Sequence, residues 1–368
     1  MMDRIALKEF YNNRKVLVTG HTGFKGAWLC QVLTYFGADV SGYSLKPPTY
    51  PNLFNMVNLK SRIRSYIGDI RDLHMLHSVF ELEQPEIVIH MAAQPIVRES
   101  YKDPVGTYES NVMGTVHMLE CVRYSTSVKS VINVTTDKVY RNNEWDKGYI
   151  ETDYLDGYDP YSNSKSCSEL VTHSYVSSFL KKQGVRVSTC RAGNVIGGGD
   201  FAIDRIIPDC VRAAESGKDI IVRNPYSIRP YQHVLEPLFV YLMIAMMQYK
   251  NPQIAGNYNV GPNDENCMTT GELVTLFCNI WNRNADNNGF HFIKWLNQSD
   301  NGPHEANFLK LDCTKLKEAF QWSPHWTIEE TIERIVKFET VSIKSRMDTD
   351  VIRECMNQQI EEYLKIND

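Results

Sequence analysis

No stretch of this 368-residue sequence is apolar for long enough to cross a bilayer. The longest run, Leu238 to Met247, is about half of the ~20 residues a span requires. Opened by Glu236-Pro237, it reads as a buried helix. The first ten residues, MMDRIALKEF, hold no apolar segment of the signal-peptide kind. Lys and Arg form no block, and the formal net charge is −5, so the footprint of a nucleic-acid binder is missing. Nine cysteines, an odd number with no CxxC pair, argue against both a disulfide framework and a zinc site. With 43% hydrophobic and 23% charged residues the chain is neither disordered nor collagen-like. The expectation is a soluble, cytoplasmic protein with no membrane, nucleic-acid or metal partner.

What is present is an alternation. Lys15–Thr19, Ala38–Tyr43, Arg64–Ile67, Ile87–His90, Ser130–Thr135 and Arg186–Arg191 read as strands. Phe24–Phe36, Leu73–Leu82, Thr107–Arg123 and Tyr161–Lys181 read as the helices between them. Strand–helix alternation predicts an α/β fold, a doubly wound parallel sheet of Rossmann type. Beyond Ala192 the rhythm breaks into Gly, Pro, Asn and Asp clusters, which implies a smaller α/β lobe for substrate. The expected division is residues 1–192, with about 232–250 returning to them, then 193–231 and 251–340, and a helical extension over 341–368. In that extension Val351, Ile352, Cys355, Met356, Ile360, Tyr363 and Leu364 recur at helical spacing, which suits a covering helix.

The segment Thr19-Gly20-His21-Thr22-Gly23-Phe24-Lys25-Gly26 follows the first strand and opens the first helix. Glycines at this spacing let backbone approach a pyrophosphate, while the helix N-terminus offers N–H groups and positive dipole to it. An acidic residue ending the second strand would hold the ribose of NAD, but the sequence there is Gly42-Tyr43-Ser44-Leu45-Lys46. Lys46 suits a 2′-phosphate, so this region leaves NAD and NADP both open. Asp69-Ile70 either receives the adenine ring or, in the case of Asp69, caps the next helix.

Tyr161 and Lys165, four apart, share one helical face. A neighbouring ammonium favours tyrosinate and lowers the phenol pKa toward use as a base. Upstream, Val134-Thr135-Thr136-Asp137-Lys138 ends a strand, where such sheets place ligand-facing hydroxyls. The bland alternatives are a packed Tyr161 ring and an ordinary Asp137–Lys138 ion pair.

Together these segments resemble the extended short-chain dehydrogenase/reductase family over about residues 14–340. His90-Met91-Ala92-Ala93-Gln94, Asn111-Val112-Met113-Gly114-Thr115 and Arg191-Ala192-Gly193-Asn194-Val195 fit the same pattern. HTGFKG (21–26), GYDPYSNSK (157–165), NPYSIRPYQHVLEP (224–237) and PHEANFLKLDC (303–313) are similar to the CDP-glucose 4,6-dehydratase branch in particular. The resemblance implies NAD held by Gly20, Thr22, Gly23, Phe24, Lys25, Gly26, Asp69, Ile70, Ala92, Ala93, Gln94, Asn111, Tyr161, Lys165 and Arg191. It implies conversion of CDP-glucose to CDP-4-keto-6-deoxyglucose for deoxysugar and surface-polysaccharide synthesis. Thr135, Tyr161 and Lys165 would act at C4, Asp137 as acid at C6, and Lys138 at C5. Gln94, Arg98, Asn194, Arg205, Ile207, Arg229, His233 and His304 are the expected substrate contacts. A homodimer through helices near 107–123 and 161–181 is implied as well. An epimerase on the same frame would use Tyr161 and Lys165 but has no need of an acid/base pair at C5–C6. A catalytically silent NAD-binding sensor would have no need of any of them.

Overall fold

The computed structural model describes residues 4–145, 147–298 and 309–365. Seven strands form the central sheet: β1 Lys15–Thr19, β2 Asp39–Ser44, β3 Arg64–Ile67, β4 Ile87–His90, β5 Ser130–Thr136, β6 Arg186–Ala192 and β7 Asn257–Val260. Their spatial order is β7-β6-β5-β4-β1-β2-β3, and every pairing is parallel. Strands covered on both faces need near-continuous apolar runs. Accordingly Val16 and Val18 join one core with Trp28, Leu29 and Leu238, while Leu17 joins another with Leu76, Val88 and Met118. The order reverses between β1 and β4, which places a ligand crevice at the carboxyl ends of these strands.

Each expected strand is found, with ends shifted by at most one residue. Residues 257–260, assigned above to the second lobe, instead pair with β6 and extend the main sheet. The expected buried helix opened by Glu236-Pro237 is found within the returning segment. Gln232–His233 pair with Val195–Ile196, and the helix is Leu235–Lys250. The expected Thr107–Arg123 helix starts at Pro104, capped by Asp103, and passes through a π-turn at Glu109–Met113 before Gly114–Tyr124. Pro160–Tyr175 is capped by Asp159, whose side chain accepts from Ser162 N–H, and has Pro at its first turn. It continues through a π-turn at Val176–Leu180 and ends at Gly184, where φ is +80°.

The second lobe is assembled from short pairs: Ile228–Pro230 with Cys267–Thr269, and Ile220–Val222 with Trp295–Asn297. Its core gathers Ile207, Val211, Phe277, Trp281, Ile332 and Val336. The last helix, Thr349–Lys365, lies back on Phe24–Tyr35. There Tyr35 donates to Glu361 at 2.9 Å and Gln31 to Asn357 at 2.6 Å. Burial of Ile352 and Ile360 contributes roughly 3–6 kcal/mol before ordering entropy is subtracted.

Candidate functional site

A cavity of about 1430 Å³ opens at the carboxyl ends of the strands and runs from the Gly20–Gly26 turn into the second lobe. Its cofactor end is shaped by missing side chains. Gly20 has φ +78°, and a Cβ there would sit 2.8 Å from Ala92 N. A Cβ on Gly26 would come within 2.1 Å of the Gly20 carbonyl oxygen. Gly23 precedes the Phe24–Tyr35 helix in extended conformation, and no side chain caps that helix. Close backbone approach and an uncapped helix start are what a pyrophosphate requires, so these residues fit a dinucleotide.

Thr22 donates to the Leu45 carbonyl at 2.9 Å and lies 2.9 Å from the Ser44 hydroxyl. Lys46 lines the wall nearby. Asp72, not Asp69, caps the next helix, since its side chain accepts from Met75 N–H. Asp69 lines the cavity with Ile70, its carboxyl held below the usual range mainly by the Arg71 guanidinium. Lys25 reaches inward to the Tyr241 hydroxyl at 3.0 Å. Burial, with Arg205 and Lys165 as like charges, lowers its pKa to about 7.

Thr135, Asp137, Lys138, Tyr161 and Lys165 all line the same cavity. Lys165 is buried and donates to the Val134 carbonyl at 3.1 Å. Burial lowers its pKa to about 8, with Glu169 opposing. The expected lowering of Tyr161 is not found. Burial pushes its phenol up to about 12, and the groups that pull it down are the Thr136 hydroxyl and Arg205, not Lys165. The lysine is turned toward the strand backbone instead. Asp137 is 2% exposed and its carboxyl is raised above the usual range, chiefly by burial. Its Oδ1 accepts from Thr136 at 2.9 Å, and Oδ2 has no hydrogen-bond partner among the described residues.

Ala92, Ala93, Gln94, Arg98, Asn194, Arg205, Ile207 and Arg229 line the rest of the cavity. Arg205 is paired with Asp200 at 3.1 Å. Gln94 is fixed by its own loop: its amide donates to Thr107 and its oxygen accepts from Ile96 N–H. Asp200, which the sequence reading missed, stands after three glycines (197–199) of the kind that mark a tight loop.

Three expected contacts lie off the cavity. Asn111 exchanges hydrogen bonds with the Gln94 backbone at 2.8 and 3.1 Å and donates to Ser164, so it braces the wall from behind. Arg191 is 1% exposed and bound to Glu169 at 2.9 Å and the Tyr140 hydroxyl at 2.7 Å, a buried pair and not a cofactor contact. His233 is fully buried between Trp28 and Trp326, and burial lowers its pKa to about 3, so it is a neutral core histidine. His304 lies outside the described residues. Among the described residues no His, Cys, Asp or Glu group suits a metal, and no helix is long and apolar enough to cross a membrane.

The GDP-mannose 4,6 dehydratase family profile matches residues 17–335. A CDP-glucose 4,6-dehydratase from Salmonella typhimurium is 46% identical over 97% of this chain and 98% of its own length. Among solved structures, a dTDP-glucose 4,6-dehydratase from Bacillus anthracis in complex with NAD superposes with a TM-score of 0.72 at 21% identity, covering 92% of this chain and 99% of that one. A UDP-glucose 4-epimerase from Thermotoga maritima with UDP-glucose gives 0.73 at 22%, covering 88% and 97%.

Proposed function

The chain belongs to the GDP-mannose 4,6 dehydratase family, and from that premise we propose that its site removes water from CDP-glucose to give CDP-4-keto-6-deoxyglucose. It is a hydro-lyase acting on a sugar nucleotide with NAD as cofactor. The observation that carries this reading is Asp137. A buried carboxyl with a raised pKa and an unpartnered oxygen lies in one cavity with Thr135, Tyr161 and Lys165. An epimerase has no use for such an acid. The choice of CDP over other nucleotides rests on the similarity to the Salmonella enzyme, which extends through both lobes.

The Gly20–Gly26 turn would hold the cofactor pyrophosphate, and Asp69 and Ile70 would face the adenine. When bound, NAD supplies the acceptor for the C4 hydride and the donor that returns it to C6. Tyr161 takes the C4 hydroxyl proton; the Thr136 hydroxyl and Arg205 favour its phenolate against the burial that pushes the phenol up to about 12. Thr135 holds the same substrate oxygen. The C4 ketone acidifies C5, where Lys138 removes the proton or stabilises the enolate that results. Asp137, whose pKa burial raises, gives a proton to the C6 hydroxyl, which leaves as water. Arg205 and Arg229 bind the diphosphate, for which planar guanidinium groups are suited.

The partner surface we assign to a second copy of the chain is the Gly114–Tyr124 and Pro160–Tyr175 face, where Tyr124 and Leu170 are exposed. Nine unpaired cysteines suit a reducing cytoplasm. The product suits deoxysugar synthesis for surface polysaccharide.

Incubation with CDP-, dTDP-, UDP- and GDP-glucose separately, each followed by mass spectrometry, tests the reading. Loss of one water from the CDP sugar is expected. An unchanged mass with all four refutes it.

A further inference from the structure

The third residue along the Tyr161–Lys165 face is Glu169, one helical turn further on, and it is buried at 3% exposure. It takes no place in the mechanism above, and it does not line the cavity. Three donors converge on its carboxylate. The Thr135 hydroxyl donates to Oε1 at 2.5 Å, while the Thr189 hydroxyl at 2.7 Å and the Arg191 guanidinium at 2.9 Å both donate to Oε2. The other acceptor near Thr135, the Cys190 carbonyl at 3.5 Å, also lies off the cavity. A threonine hydroxyl has one proton. Here that proton points away from the cavity that Thr135 lines.

We propose that Glu169 is a positioning residue that fixes the polarity of the Thr135 hydroxyl, so that toward substrate Thr135 accepts a hydrogen bond and does not donate one. Resting on the dehydratase reading, the inference adds a consequence to it. Before Tyr161 takes its proton, the C4 hydroxyl of the bound substrate can donate to Thr135, whereas the C4 ketone of the product cannot. Thr135 therefore holds the alcohol and lets the ketone go. The charged groups facing Glu169 are Lys165 on its own helix and Arg191 on β6. Both remain in the variants below.

Glu169→Gln reverses this polarity. Arg191 and Thr189 demand an acceptor at the Oε2 position, so the nitrogen of the introduced amide turns to Thr135. The hydroxyl then accepts from that amide and has its proton available for a ketone. The measurement is the ratio of the inhibition constant of CDP-4-keto-6-deoxyglucose to the KM of CDP-glucose, with bound NAD confirmed for each variant. The ratio is expected to fall roughly three- to tenfold in Glu169→Gln, the worth of one neutral hydrogen bond. It should return to the value of Thr135→Val alone in the Thr135→Val/Glu169→Gln double variant. Glu169→Asp keeps the charge for Arg191 but retracts by one methylene from Thr135, and it shifts the ratio in the same direction if Glu169→Gln does not fold. A ratio unchanged in the folded single variants overturns the inference, as does a shift that persists without the Thr135 hydroxyl. Failure of the wild-type protein to form the ketone at all overturns the dehydratase reading itself and, with it, this consequence.

Discussion

Glu339 is 3% exposed on the Ile328–Lys344 helix and accepts from Gly199 N–H at 2.8 Å, beneath the loop that carries Asp200 and Arg205. Burial, with Glu215 and Asp200 as like charges, raises its pKa from 4.5 to about 8. The unfolded chain ionises this group near pH 4.5, whereas the folded protein keeps it neutral up to about pH 8. The favourable contribution of the neutral carboxyl is thus complete below pH 4.5 and lost as pH rises through 8. Glutamine has the shape of the neutral form and does not titrate. At pH 7 the gap is about 2.5 units, which at ~1.4 kcal/mol per unit gives roughly 3 kcal/mol in favour of Glu339→Gln. That corresponds to a Tm gain on the order of 5 °C for a chain of this size. Paired thermal melts from pH 4 to pH 9 provide the assay. The difference between variant and wild type should be small at the acid end, grow between about pH 5 and pH 8, and level off above. A flat difference, or a variant less stable at every pH, would mean that Glu339 is ionised in the fold and would refute the reasoning.

Replacing Asp137 by Asn removes the C6 acid. Turnover should fall by roughly 10²–10⁴ while C4 oxidation continues, read as reduced cofactor accumulating after substrate is added. Tyr161→Phe should reduce turnover by a similar factor without that accumulation, because the block lies before hydride transfer. Gly26→Ala puts a Cβ 2.1 Å from the Gly20 carbonyl and should leave protein without NAD, seen as loss of cofactor in the denatured extract. Tyr363→Phe removes the hydroxyl that donates to the buried Glu236 carboxylate at 2.8 Å. A loss of about 1–3 kcal/mol in denaturant unfolding with KM unchanged is expected.

Much of this architecture is written in residue type because parallel strands covered on both faces carry near-continuous apolar runs, as in Ile87, Val88 and Ile89 of β4. β7 carries no such mark. Its sequence is Asn-Tyr-Asn-Val, and Asn259 is tolerated inside because Tyr149, Glu151 and Asp312 supply its partners from distant segments. The cavity wall was readable where chemistry dictates spacing, as in the glycine turn and the Tyr161–Lys165 pair. It was unreadable where a polar residue is satisfied from elsewhere in the chain. Arg191 looks like a ligand until Glu169 is seen beside it, and His233 until the two tryptophans close over it. Nor does spacing show which way an ammonium turns, and Lys165 faces Val134, not the phenol.

The contact between Thr349–Lys365 and Phe24–Tyr35 also bears on how the protein comes off the ribosome. The helix that opens at the glycine turn is made well before the segment that covers it, for Gln31 and Tyr35 take partners more than 300 positions later. Until those residues emerge, one side of that helix lacks its cover. A nascent chain stalled before residue 349 therefore exposes a surface that chaperones must shield.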